Sequence, residues 1–267
     1  MRYNGVESRL VRVSPDVFVS FMTDRPQHID HLLSDWPFSA GQILVRQIQG
    51  NDGRELLQMR VDMGIIQIEI SNRPDGFQPE GFDTYYDYLA SLSFAEAEAF
   101  QLDDERCAEI DREFYQFYHR RICWLTLKRY TEAARDAKHT LALMDFSSAY
   151  SPDPEWASLH EQYRPFVMFH KIQALALIEL EETVPEGAIL VIDEGLKDLE
   201  EVFEKHDASE HYDDDAFVIK LRDMRESVKE HYELGPTLTE QLAEAIAAEQ
   251  FELAAELRDR IDHPGGT

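Results

Sequence analysis

Residues 113–144 read EFYQFYHRRICWLTLKRYTEAARDAKHTLALM, and their period decides the fold. Over 113–128 and again over 130–144, apolar side chains recur three and four residues apart, which gathers them on one helix face. Joined at Lys128-Arg129, the two runs predict an antiparallel helical pair. A weaker pair follows over 166–180 and 185–203, with Ala188 and Gly195 at positions where a helix must sit close to its neighbour. A last body helix over 214–232 precedes Leu234-Gly235-Pro236, a helix stop followed by a short connector that leaves what comes after free to move. From Asp83 onward no strand signal competes with these helical periods.

The positions Phe117, Trp124, Tyr130, Glu132-Ala133, Ala137 and Leu141 resemble a tetratricopeptide repeat (TPR). In such repeats small residues let one helix sink against its partner while aromatics fill the groove between units. Two positions depart from the pattern: Arg121 stands where a small residue is usual, and Thr140 replaces a common alanine.

The N-terminal part has a different period. Residues 1–39 read as an irregular lead with one short helix after Pro26, in which His28 and His31 sit one turn apart beside Asp30. With no further ligand identified, that pair reads as a surface feature rather than a metal site. Residues 43–48 form a strand, and Gly50-Asn51-Asp52-Gly53 is hairpin-loop chemistry. Leu57, Met59, Val61 and Met63 alternate as a half-buried strand requires, and Ile66, Ile68 and Ile70 alternate on the opposite parity. The change falls at Gly64, a residue suited to a bulge or turn. Asn72-Arg73-Pro74-Asp75-Gly76 closes a predicted antiparallel sheet of two or three strands. The block QMRVDMGIIQIEI with its RPDG and PEGF turns is similar to one found in bacterial proteins that end in the hairpin described next.

Residues 237–262 read TLTEQLAEAIAAEQFELAAELRDRID. Thr237-Leu238-Thr239-Glu240 has capping-box order. Leu238, Leu242, Ala245 and Ile246 make one stripe, while Phe251, Ala254, Leu257 and Ile261 make a second, rotated by about a third of a turn. A break near Glu249-Gln250 folds the halves into a hairpin that merges the stripes. At Leu242, Ala245, Ile246, Glu249, Phe251, Ala254, Ala255, Leu257, Arg258, Asp259 and Ile261 the stretch resembles the UVR motif, the helical hairpin of UvrB and UvrC that also occurs in Clp-type unfoldases and activators of protein-arginine kinases. The resemblance implies a docking element, with Leu242, Ile246, Glu249, Phe251, Ala254, Leu257, Arg258, Asp259 and Ile261 as partner-binding residues. It extends over only the last tenth of the chain.

Composition narrows the remaining classes. The 267 residues carry 53 acidic and 26 basic side chains, a formal charge of −27, so the long-range field repels nucleic acid and anionic membranes. No apolar run reaches the ~20 residues that span a bilayer, and the first residues lead into no signal core, so a cytoplasmic location is expected. Cys107 and Cys123 read as reduced thiols within helices. Residues 179–215 are dense in acid, opposed only by Lys197 and Lys205; Asp213-Asp214-Asp215 lacks the spacing of a calcium loop, so a solvated helical face is the default and a basic protein partner the functional reading. His119, His139 and His170 fall on helices beside aromatic or apolar residues, as packing histidines do. Nucleophile elbows, phosphate loops, zinc-ligand pairs and dinucleotide fingerprints are missing from the sequence. The lack of paired cysteines argues against the zinc-binding kinase activators, and the helicase and nuclease signatures of the repair proteins are also missing.

The expected molecule is therefore mainly α: a small N-terminal antiparallel β element (1–82), a TPR-like antiparallel helical-repeat body (83–233) and a C-terminal helical hairpin (237–262). The expected function is that of a non-catalytic adaptor without cofactor or metal. Its hairpin would dock on a UvrB/UvrC-type repair protein or on Clp-type machinery, or pair with a second copy. Two alternatives stand beside it. In one, the hairpin only caps the chain's own helical stack. In the other, the chain is an enzyme or small-molecule-binding protein with a site between sheet and helices, drawing on Arg60, Asp62, Glu69, Arg73 and Asp75.

Overall fold

A computed structural model describes residues 28–262, with side chains to residue 261. The lead and the start of the chain therefore lie outside the described residues up to position 27. By its internal contacts the chain divides into two compact units. One is Met1–Leu44, described from residue 28, with Met59–Ile66; the other is Val45–Gln58 with Gln67–Thr267.

The first unit holds the short helix α1 (Asp30–Asp35). His28 and Asp30 meet at 3.3 Å, both largely exposed. Buried Arg60 organises this unit by donating to main-chain carbonyls. Its Nε reaches Trp36 O at 2.8 Å, its Nη1 reaches Gly64 O at 2.9 Å and Val61 O closely, and Phe38 lies under the guanidinium.

Strands β1 (Leu44–Gln49), β2 (Glu55–Val61) and β3 (Gly64–Glu69) pair antiparallel in the order β1-β2-β3. The parity change at Gly64 proves to be a turn: Asp62-Met63 links the strands and Gly64 opens β3. The half-buried alternation expected of β2 is not what forms. As the central strand it is covered on both faces, and Leu56, Leu57, Gln58, Met59 and Arg60 are all buried. Gln58 is accommodated by a rung across the sheet, accepting from Arg46 at 2.7 Å and donating to Gln67 at 3.0 Å.

From residue 85 the second unit is helical: α2 (Tyr85–Glu96), α3 (Asp104–Thr126), α4 (Tyr130–Tyr150), α5 (Pro154–Glu161), α6 (Arg164–Glu181), α7 (Pro185–Lys205) and α8 (Ala216–His231). The paired helices pack as the periods predict, α3 on α4 and α6 on α7, with α4 against α6 joining the pairs and α8 closing on α7 and α6. One core draws Met168, Ile172 and Ala176 from α6, Ala188, Ile192 and Leu199 from α7, and Val218 and Leu221 from α8. A second gathers Leu89, Phe100, Leu102, Ile110, Leu143 and Phe146 around α2, α3 and α4. Gly195 is required by the α6–α7 approach, since a Cβ there would overlap the buried Ile172 side chain.

Several helices end in the same way without glycine. After α3, Arg129 N–H donates to Trp124 O at 2.9 Å and Lys128 N–H to Leu125 O at 3.1 Å, a Schellman closure with Lys128 left-handed at φ 58°. The same pair of bonds recurs at Thr183-Val184, Asp207-Ala208 and Glu233-Leu234, with φ of 62°, 54° and 53° at the first residue of each. An L side chain in that region costs about 1–2 kcal/mol, and β-branched Thr183 is the least suited to it.

Two outcomes follow for urea unfolding. Thr183→Gly should raise stability by about 1 kcal/mol, the relieved strain being partly offset by a more flexible unfolded chain. Gly195→Val should lower it by about 2 kcal/mol by forcing Ile172 out of the α6–α7 contact.

Candidate functional site

The C-terminal stretch folds as two helices, α9 (Leu238–Ala247) and α10 (Phe251–Asp262). Both halves of the capping box form: Glu240 N–H donates to Thr237 Oγ1 at 3.2 Å, and Thr237 N–H donates to the Glu240 carboxylate at 2.7 Å. The break falls where expected and its chemistry is now visible. Glu249 takes φ 56°, its N–H donates to Ile246 O at 3.0 Å, and Gln250 N–H donates to Ala245 O at 2.8 Å. This is the glycine-free closure used in the body.

The hairpin makes a small core of its own from Ala245, Ala254 and Leu257, with Leu238 and Leu242 packed against it. The expected partner-binding set therefore divides. Leu257 is 2% exposed and Ala254 is buried, so both are enclosed within the hairpin, and Leu242 is half-buried. Phe251 is 70% and Ile246 55% exposed, one on either side of the turn, and Leu253 is also exposed. Glu249 is exposed in the turn, Ile261 is half-buried, and Arg258 and Asp259 form an exposed pair at 3.5 Å. The two apolar stripes merge only in part, leaving one residue of each uncovered.

Across the connector Leu234-Gly235-Pro236, Glu240 reaches back to α8. Its Oε1 accepts from Lys229 Nζ at 2.6 Å and from Arg225 Nη1 at 2.9 Å, and Arg225 also pairs with Asp193 on α7 at 2.5 Å. Partial burial works against ionisation of Glu240, but the hydrogen bonds from Lys229, the Thr237 N–H and Arg225 outweigh it and pull the carboxyl down to about 2.

Several other charged groups are committed to structure. Asp215 caps α8, accepting from Phe217 N–H at 2.8 Å, and Asp213 pairs with Arg222 at 2.7 Å. The acidic stretch is thus partly answered by arginines of the next helix. Of the five residues considered for a site at the sheet, Arg60 is used by carbonyls as above, Asp62 is exposed at the β2–β3 turn, and Glu69 pairs closely with Arg54. Arg73 and Asp75 line a cavity of about 360 Å³, but Arg73 is 1% exposed and bonded to Glu109 at 2.9 Å and Gln116 at 3.3 Å. Glu113, fully enclosed, accepts from the Tyr85 and Tyr86 N–H groups at 2.7 and 3.1 Å at the start of α2, and His139 Nε2 lies 3.0 Å from it.

His119 contacts Tyr115 O at 2.8 Å, and His139 stacks on Phe117. His170 is pushed down to about 3 by burial and by the Arg121 and Lys220 charges. Burial pushes the Cys123 thiol up to about 12 and raises that of Cys107; both are free. Among the described residues no three His, Cys, Asp or Glu side chains cluster as a metal site, and no helix is long and apolar enough to cross a membrane.

Residues 236–263 match the family model described as the UvrB/uvrC motif, UVR. No curated protein and no solved structure matches the chain. The C-terminal hairpin is a UVR motif, and the match coincides with the helical hairpin just described.

Because the Glu240 carboxyl lies below its ordinary 4.5, its hold on α8 is fully present above about pH 4.5 and lost as pH falls through about 2. Carboxyl-detected NMR of the folded chain should place its midpoint near 2. A midpoint near 4.5 would mean the contact is open in solution.

Proposed function

We propose that the chain is a non-catalytic docking protein that binds another polypeptide through its UVR hairpin. The observation that carries this reading is the division of the hairpin's apolar residues. Ala245, Ala254 and Leu257 already complete an internal seam, so Ile246 and Phe251 are not needed for folding, yet both stand exposed in a motif used for association. This also argues against a hairpin that serves only as a cap, since a cap would turn Phe251 inward.

Burying Ile246 and Phe251 contributes about 1.5–3 kcal/mol each, which association costs largely consume. A working complex therefore needs further contacts, and exposed Glu249, Arg258 and Asp259 on the same hairpin supply charged ones. With a net charge of −27 the complementary surface is a helical hairpin with an apolar seam and a basic rim. UvrB/UvrC-type repair proteins and Clp-type unfoldases or their arginine-kinase partners are the candidates, and direct nucleic-acid binding is disfavoured by the same charge. The α3/α4 and α6/α7 pairs act in this reading as a TPR-like body that carries the hairpin.

The test is a binding assay of the full chain against purified partners of both kinds. Phe251→Ser, at an exposed position, should leave the fold intact and weaken the complex by roughly tenfold or more. A chain ending at Gly235 should lose it. Equal binding by wild type, Phe251→Ser and the shortened chain would overturn the docking role; self-association lost in the same variants would make the partner a second copy.

A further inference from the structure

A cavity of about 660 Å³ opens in the helical body, far in sequence from the hairpin. Exposed Tyr115, Tyr118 and Tyr163 stand at its rim, while Met144 and Val167 are buried at its base. Phe114, Phe166 and Phe217 give walls that are mainly aromatic, with His160 and Gln162 beside them. The polar exceptions at the base are Arg121, 1% exposed, and Thr140, 3% exposed.

Arg121 differs in its partners from Arg73 and Arg120, the two arginines enclosed to the same depth. Arg73 and Arg120 each face carboxylates, at 2.9 and 2.8 Å. Arg121 has only neutral neighbours: Nη1 donates to Thr140 Oγ1 at 2.8 Å and Nε to His170 Nδ1 at 3.3 Å. Among the described residues no carboxylate lies within ion-pair distance of it, and its Nη2 has no hydrogen-bond partner. The nearby Asp136 is taken by Arg120 through two bonds of 2.8 and 2.9 Å. A cation desolvated without a counter-charge is costly, and an arginine fork fits a carboxylate in two-point contact. Burial lowers Arg121 to about 10, still cationic at neutral pH.

We infer that this cavity is a binding site for a small organic acid, its single carboxylate on Arg121 and Thr140 and its apolar or aromatic body against the Phe and Tyr walls. The size suits such a ligand, since small-molecule sites span roughly 300–1,000 Å³. The strongly acidic chain disfavours a head group with more negative charge. This inference is independent of the docking hairpin.

Isothermal titration calorimetry on the full chain, with 4-phenylbutyrate and decanoate as probes and 4-phenylbutyramide and phenyl phosphate as controls, tests it without depending on a variant. At least one acid should bind, with the amide weaker than phenylbutyrate by roughly tenfold or more. In Arg121→Met the preference for acid over amide should vanish, whereas Arg121→Lys should keep part of it. Thermal unfolding of each variant separates lost binding from lost fold. Equal binding of acid and amide by the wild type, tighter binding of phenyl phosphate, or no binding of either acid overturns the assignment.

Discussion

The helical body depends on arginines enclosed in a chain whose exterior is acidic. Arg120 is the centre of this arrangement. It grips Asp136 of α4 with two parallel bonds, stacks on Phe117 at 4.6 Å, and donates to the carbonyls of Glu69 and Asn72 at 3.2 and 2.7 Å. One side chain of α3 thereby fixes α4 and the segment that leaves β3. Arg73 does the reciprocal task from that segment, reaching Glu109 on α3 and lying 3.6 Å from Glu113. Charges at these depths are costly to desolvate; for Arg73 and Arg120, pairing with carboxylates and several hydrogen bonds offsets that cost and fixes one arrangement of loop and helices.

The same arrangement shapes the outer field. Of 26 basic side chains, Arg73, Arg120 and Arg121 are almost fully enclosed, and Arg164, Arg225 and Lys229 are largely covered by acidic partners. The exposed side chains of residues 179–215 are mainly carboxylates, with Lys197 and Lys205 among them. In the proposed docking reading, a basic partner surface would complement this body, and the exposed apolar residues of the hairpin would supply the short-range contact that charge alone lacks.

The helical pairs were legible because their apolar residues follow a helical period strictly, and the closeness of α6 and α7 was readable in Ala188 and Gly195. The hairpin turn was located from a rotation of stripes, but its mechanism was hidden: Glu249 and Lys128 take a conformation that sequence rules reserve for glycine, and only the six-to-one closing bonds reveal it. The burial of β2 is not legible in the alternation of Leu57, Met59 and Val61, which reports one sheet face, whereas a central strand is covered on both and Gln58 is buried in a rung of side-chain hydrogen bonds. The cavity had a signal in Arg121 and Thr140, the two departures from the repeat pattern. They hydrogen-bond to each other at its base, so the two exceptions have one cause, which neither position shows alone.

Helix α8 ties the two candidate functions to one scaffold. Phe217 near its start is a wall of the cavity, and Arg225 and Lys229, two to three turns later, hold Glu240 and so the first turn of the hairpin. At a 1.5 Å rise per residue those positions lie about 12–18 Å apart along the axis. Val218 and Leu221, fully buried on the same helix, lock it to α6 and α7. Glu240 therefore links the first turn of the hairpin to a firmly packed helix. In the proposed docking reading, that contact would lower the orientational cost of bringing Ile246 and Phe251 to a partner.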